Sequence, residues 1–451
     1  MVKGVLAKYP GFCLNGQLMN VLVLGSGGRE HALVWKLAQS PRVSKMWCAP
    51  GNAGIALERL ARDGSPVECV NVLADDLPNL LKFAQEKNIS LTVVGPDNPL
   101  ALGVVDIFQA NGLPIWGPNQ KAAQFESSKV FSQSFMEKYG VPTAFSGVFT
   151  NAEKARDFAA SLQGRCAVKA DGLALGKGVI ICRTVEESAR AIDEIMTKFG
   201  AAGRTVVIQE LLDGMEISLH ALCYGKTARL FPTSQDHKRI MDNDTGPNTG
   251  GMGTYSPTPF LSESDLAAVG KKILDPWLKG CEAEKIDFRG ILYPGVMLTK
   301  SGPKVLEFNA RFGDPETQVY LTRLETDLLD LLEASTHGTL EKMQLRWRPE
   351  SAVCIVMAAA GYPGTPAKGA PISGLAEAGA LASTKVFYAG VAQKGGAMVT
   401  GGGRVLGVTA WGDGLQQARD RAYQAVAKIH FDGAQFRSDI AAKGLGLGRG
   451  V

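Results

Sequence analysis

The apolar run Val21-Leu22-Val23-Leu24 closes on Gly25-Ser26-Gly27-Gly28, and a helix begins near Arg29-Glu30-His31. The unit recurs at Leu91-Thr92-Val93-Val94, which ends in Gly95-Pro96-Asp97-Asn98, passes through a helix and reaches Leu113-Pro114-Ile115-Trp116. Strands alternating with helices imply a parallel sheet, because parallel neighbours are joined through crossovers, and ligands gather at the carboxyl ends of such strands. Past Gly25, free backbone N–H groups and the helix dipole form an anion site. A dinucleotide fold does not fit. The third glycine of G-x-G-x-x-G falls on Glu30, and the next strand ends in Ala49-Pro50-Gly51-Asn52 without a ribose-binding acid. A single sugar phosphate fits better, with Gly27, Gly28, Arg29 and Asn52 around it and Asp97 placed for sugar hydroxyls. A turn aspartate after Pro96 is the alternative reading of Asp97.

With 451 residues the chain exceeds one ordinary core, so two to four domains are expected. Hydrophobic residues at 45% and charged residues at 20% suit a soluble enzyme. A net charge of +4 is too small to argue for nucleic acid. No apolar run approaches the ~20 residues of a membrane span. The 8 cysteines include no C-x-x-C spacing, which points to reduced thiols in a cytoplasm and to no zinc site. Residues 1–18 lack the pattern of a secretory signal and read as a poorly ordered extension.

The stretch Val305-Leu306-Glu307-Phe308-Asn309-Ala310-Arg311-Phe312-Gly313-Asp314-Pro315-Glu316 reads as a strand entering a polar loop. Alternation directs Leu306, Phe308 and Ala310 into a core and Glu307, Asn309 and Arg311 to the open face. A carboxylate and an amide oxygen on one face are hard ligands suited to Mg²⁺, which fills its remaining positions with water and phosphate oxygens. The string resembles the metal-binding strand of the ATP-grasp ligases. Gln235-Asp236-His237-Lys238-Arg239, followed by Asp244-Thr245-Gly246-Pro247-Asn248-Thr249-Gly250-Gly251-Met252-Gly253, resembles the signature of the phosphoribosylamine–glycine ligase family. From Met19 onward this resemblance covers essentially the whole chain.

The resemblance implies an α/β and α+β multidomain protein. An N-terminal parallel-sheet (pre-ATP-grasp) domain spans 19–124, an ATP-grasp domain spans 125–338 with a mobile lid at about 142–212, and a small C-terminal α+β domain spans 339–451. It assigns nucleotide phosphates to Lys129, Lys169 and the glycine loop of Gly172, Gly176, Lys177 and Gly178, the adenine edge to the main chain of Glu210, Leu211 and Leu212, and the ribose to Glu216. It gives Mg²⁺ or Mn²⁺ to Glu307 and Asn309, catalytic roles to Asp236, Lys238 and Arg311, and the other substrates to Pro247, Asn248, Thr249, Gly250, Gly251, Gly313 and Asp314. The implied reaction, a step of purine synthesis, joins glycine to 5-phosphoribosylamine with ATP through glycyl phosphate. No nucleic acid or membrane partner is implied, and the chain is expected to be a monomer. Alternatives are an ATP-grasp carboxylase using bicarbonate and a non-catalytic nucleotide-binding module.

Other elements follow from pattern alone. A helix containing Lys129 is expected after Gly117, and the segment Asp236 to Tyr255, with four glycines and one proline, is expected to be carried by turns. His220 is expected to pack within its strand. The strand at Ile291 to Thr299 holds no acid, so the sequence assigns no ligand to a second ion. Val353–Met357 and Val405–Thr409 read as buried strands. Gly401-Gly402-Gly403-Arg404 reads as a turn entering the second of these, and Leu415 to Ile429 as an amphipathic helix.

Overall fold

The computed structural model describes residues 16–173 and 178–447. Gly176, Lys177 and most of the 1–18 extension lie outside the described residues. Strands β1 (Met19–Gly25), β2 (Val43–Pro50), β3 (Glu68–Cys69), β4 (Leu91–Val94) and β5 (Ile115–Trp116) form a parallel sheet ordered β3-β2-β1-β4-β5. Both faces are covered, which explains the unbroken apolar run of β1. Val21 and Val23 join one core with Leu33 and Leu37 of helix Gly28–Leu37, while Leu22 and Leu24 join a second with Leu80, Ala84 and Phe108.

A second sheet, β6 (Ser146–Phe149), β7 (Cys166–Ala170), β8 (Val179–Cys182) and β9 (Val206–Glu210), is antiparallel in the order β6-β9-β7-β8. Helices Ala152–Ser161 and Val185–Lys198 pack Ala155, Ala159, Ile192 and Ile195 onto Val168 and Ile208. The chain continues through β10 (Met215–Ser218), β11 (Ala221–Tyr224), β12 (Thr227–Leu230), β13 (Gln235–Asp236), β14 (Arg239–Met241), β15 (Thr245–Asn248), β16 (Gly253–Ser256), β17 (Arg289–Thr299) and β18 (Gly302–Asn309). The central sheet is ordered β10-β17-β11-β12, with β18 paired to β17. Helices Lys129–Tyr139 and Glu263–Ala283 cover it through Phe135 and Trp277, which, with Phe308 of β18, meet Phe125 edge-on or tilted. Burying each such side chain contributes roughly 1.5–3 kcal/mol.

The last strands are β19 (Ser351–Ala358), β20 (Thr384–Tyr388), β21 (Val391–Lys394), β22 (Ala397–Thr400) and β23 (Arg404–Gly412). The third sheet runs β13-β16-β19-β23-β20, so it recruits two strands from before residue 338. Helix Gly414–Val426 buries Ala418, Ala422 and Val426 on it, along the stripe read from the sequence. The long segment after Asp236 contains no α-helix, but it is more ordered than a string of turns. β14 and β15 form a two-stranded ribbon, and β16 enters the third sheet.

Two expectations need correction. The helix expected to contain Lys129 is two helices, Gln120–Ser127 and Lys129–Tyr139. The break falls at Ser128, whose hydroxyl caps the second helix by accepting from Phe131 N at 3.1 Å. On β18, Glu307 pairs with Gly295 but Val305 pairs with Val296, so Leu306 is the extra residue of a β-bulge. Val305 therefore takes the core position with Phe308 and Ala310, and Leu306 faces the cleft described next.

Candidate active site

A cleft of about 580 Å³ opens among the lid sheet, the central sheet and the third sheet. Lys129, Lys169, Gly172 and Gly178 line its lid side, with Glu210, Leu211, Leu212 and Glu216 along the strand that leaves the lid. Opposite them lie Asp236, Lys238, Asn248, Thr249 and Gly250, and beneath lie Glu307, Asn309, Arg311 and Asp314. Asp97 reaches the same cleft from the N-terminal sheet. Residues as distant in the chain as Asp97 and Asp314 are thus gathered in one cleft.

Lys169 ties the lid to the metal-strand candidate: its Nζ donates to Gln209 Oε1 at 2.6 Å and to Leu306 O at 2.9 Å. The bulge turns Leu306 toward the cleft, and burial lowers this ammonium to about 8. Lys129 Nζ donates to Gly172 O at 3.2 Å, while Asp171 Oδ1 accepts from Ser128 Oγ and Val130 N, so the glycine loop begins on a capped helix end. At the proposed adenine strand, the amides of Glu210 and Leu211 are bonded to Phe145 O and Arg165 O, which removes both as free donors. The Glu210 carboxylate accepts from Phe145 N and Lys304 Nζ, each at 2.9 Å.

Charge is balanced across the floor. Lys238 Nζ lies 2.5 Å from Glu216 Oε1 and 4.0 Å from Glu307 Oε1. Burial opposes its charge, but the two carboxylates outweigh burial and hold the ammonium above the ordinary lysine range. Glu307 is held low in turn: burial would raise it, and Lys238, Lys169, Lys129 and Arg311 together prevail. Asp236 is pushed well above the usual carboxylate range by burial and by the Glu316 carboxylate, against Lys238 and Arg404. His237 belongs to the same string as Asp236 and Lys238. It is buried, bonds Gly253 O at 3.0 Å through Nδ1, and burial lowers it to about 4, so it is a neutral structural residue.

Glu307 is about a third exposed, and Asn309 also lines the cleft. Among the described residues no group of three or more His, Cys, Asp or Glu is placed to hold a metal ion. A carboxylate and an amide oxygen with room left for water and phosphate fit Mg²⁺ or Mn²⁺ arriving with a nucleotide.

Several candidates make contacts within the scaffold. Gly27 N donates to Glu30 Oε2 at 2.6 Å, so the amide expected to bind an anion already has one. Arg29 is buried, with Nε at 2.5 Å from Glu30 Oε1 and Nη1 donating to Phe312 O at 3.1 Å. Asn52 donates to Ser26 O and Tyr388 O and accepts from Gly54 N and Ile55 N, which joins β1's loop to the third sheet. Pro247 is exposed on the ribbon and does not line the cleft. A Cβ on Gly313 would meet His220 Nε2 at 2.9 Å, and one on Gly28 would meet Gln318 Nε2 at 2.8 Å, so both glycines give clearance to neighbouring side chains. A Cβ on Gly251 would meet Asp236 Oδ1 at 2.7 Å, again clearance for a cleft residue. His220 packs as expected, stacked on Tyr293 at 4.1 Å between centroids.

Three contributors were not assigned from the sequence. Arg404 enters β23 after the glycine turn and donates to Asp314 Oδ2 at 2.8 Å, Asp314 O at 2.7 Å and Gly250 O at 2.7 Å. Against burial, Arg404 and Arg29 hold Asp314 below its ordinary range. Lys443 reaches the cleft from the last described helical turn and pairs with Asp244. Glu126 Oε1 lies 2.7 Å from Arg311 Nη2. The pattern before Arg404 was visible in the sequence, but its partner lies 90 residues away.

Comparison with known proteins agrees with this geometry. Residues 19–126 match the family described as phosphoribosylglycinamide synthetase, N domain, residues 127–317 its ATP-grasp (A) domain, and residues 352–443 its C domain. The chain is 47% identical over 430 residues to the phosphoribosylamine–glycine ligase of Vibrio cholerae, covering 95% of this chain and 99% of that one. It resembles the crystal structure of phosphoribosylamine–glycine ligase from Thermotoga maritima with a TM-score of 0.79 and 36% identity, over 94% of this chain and 100% of the other. The biotin carboxylase domain of the Hydrogenobacter thermophilus 2-oxoglutarate carboxylase shares the fold at a TM-score of 0.71 and 16% identity, over 93% and 92% of the two chains. With its N, ATP-grasp and C domains all matched and its cleft built where they meet, the chain belongs to the phosphoribosylglycinamide synthetase family.

Proposed function

We propose that the chain ligates glycine to 5-phosphoribosylamine, with ATP as the source of energy, to give glycinamide ribonucleotide, ADP and phosphate. The observation that carries this reading is the array of Lys129, Lys169 and Lys238 around Glu307 within one cleft. A carboxylate does not react with an amine at neutral pH, because its oxygen is a poor leaving group. Phosphorylation supplies a leaving group, and the cleft is built for phosphoryl transfer rather than for covalent catalysis by a side chain.

Lys129 and Lys169 neutralise charge on the nucleotide phosphates, with Gly172 and Gly178 close enough for backbone contacts. Leu212 and the strand end at Glu210 lie along the adenine, and Glu216, paired with Lys238, faces the ribose. Glu307 and Asn309 would hold Mg²⁺ or Mn²⁺, which would supply Lewis-acid stabilisation of phosphate charge. Arg311 faces the glycine carboxylate and then the acyl phosphate, each an anion suited to a guanidinium fork. Asp236 lines the cleft beside Lys238 and is placed to receive the proton that the amine releases. Asp97 and the Asp314–Arg404 pair contact the phosphoribosyl group, alongside Asn248, Thr249 and Gly250.

ADP release from Mg²⁺-ATP tests the reading, with phosphoribosylamine generated in place and each substrate omitted in turn. ADP formed only when glycine and the amine are both present is the expected result. Release with bicarbonate in place of glycine, or no release from folded protein that binds ATP, would contradict it.

A further inference from the structure

Arg311 stands between two oxygens. Its Nη2 lies 2.7 Å from Glu126 Oε1 and donates to Asn309 Oδ1 at 3.1 Å. That asparagine oxygen is also the one assigned above to the divalent cation, so a guanidinium and a metal ion draw on one acceptor. Two cations at one amide oxygen repel each other. Glu126 offers the arginine another anchor. It sits near the end of helix Gln120–Ser127 with its side chain 9% exposed, at the junction between the matched N and ATP-grasp domains. Its second oxygen accepts from Ala310 N at 2.8 Å, next to Asn309 in the chain. The preceding residue, Phe125, is buried against Phe135 and Trp277, so the helix carrying the carboxylate is fixed in place.

Building on the metal assignment of the proposed function, we propose that Glu126 is a positioning residue that keeps Arg311 anchored when the divalent cation takes the Asn309 oxygen, so that the arginine can give up its hydrogen bond to Asn309 without losing its place. Without the carboxylate, Arg311 keeps Asn309 as its acceptor and competes with the ion. The same carboxylate holds the main chain at Ala310, which couples the aim of Arg311 to the position of the metal strand.

The test is binding of the Mn²⁺ complex of a non-hydrolysable ATP analogue to the full chain, followed by water proton relaxation. Glu126→Gln retains an acceptor for Ala310 N and removes the charge. Its Mn²⁺ affinity should fall by roughly tenfold, the scale of a charge-assisted hydrogen bond redirected to a competing site. The double variant Glu126→Gln with Arg311→Met should recover most of that affinity, because the competitor is gone, whereas a variant damaged only in folding would not recover. Wild-type affinity in Glu126→Gln, or a double variant no tighter than the single, overturns the proposal. Glu307→Gln separates the two levels. Unchanged Mn²⁺ binding there overturns the metal assignment itself, while loss there with no effect of Glu126→Gln overturns only the role of Glu126.

Discussion

Lys169 shows how one buried side chain can carry both structure and function. Its pKa near 8 lies below the ordinary lysine value, so its charge is complete below that pH and disappears as pH rises through it. ATP affinity should therefore weaken between about pH 7 and 9, and Lys169→Arg, which keeps its charge throughout, should flatten the profile. Direct ATP titrations check this, and a flat wild-type profile would contradict it. Glu307→Ala should abolish turnover while leaving the melting temperature within a few degrees, since the side chain faces the cleft rather than the core. Glu307 and Asn309 were legible as cleft residues because alternation places them on one face of a strand, and Asp236 and Lys238 because their string resembles a family signature. Glu126 and Arg404 were not. Each is a single charge whose partner lies far along the chain, 184 residues in the case of Ala310 N and Glu126, and only the fold brings them together.

Among the elements, apolar runs located the strands β1, β4, β19 and β23, because strands buried on both faces must be apolar throughout. The pattern could not reveal the bulge on β18, since one extra residue changes which side chain faces the core without changing composition. Nor could it divide the helices at Ser128, where a single capping hydroxyl decides the break. The glycine turn after β1 was read as an anion site, and the structure fills it with Glu30. Gly25, at φ +121°, and Gly95 both lie where a Cβ would collide with that carboxylate. Gly95→Ala should cost roughly 1–3 kcal/mol by overpacking, measured by chemical denaturation. At the ribbon, the fully buried Arg437 side chain joins Asp244 at 2.9 Å to Asp439 at 2.7 Å. Arg437→Ala should cost roughly 1–3 kcal/mol, the partly exposed partners keeping the loss at the lower end for a broken ion pair, and denaturation should resolve it.

At the level of the whole molecule, the ATP-grasp and C-terminal domains are interlocked through the third sheet. β16 pairs with β19 residue by residue, from Gly253 with Ile355 to Ser256 with Ala352. A chain ending at Gly338 would leave β16 without that neighbour and the cleft without Arg404 and Lys443, so it should fail to give folded, ATP-binding protein. Soluble truncated protein with native ATP affinity would contradict this. Domain order was legible from the resemblance to a known family, but the strand exchange across residue 338 was not, because a four-residue strand in a glycine-rich segment carries little apolar signal of its own. The interlock places Lys129, Lys169, Glu307, Asn309, Asn248 and Thr249 in one cleft, an arrangement that suits the proposed stepwise activation of a carboxylate. The most direct test of that activation uses glycine carrying heavy oxygen in its carboxylate, with the released phosphate analysed by mass spectrometry. Transfer of one labelled oxygen to phosphate in each turnover is the predicted result, and unlabelled phosphate formed alongside amide product would contradict it.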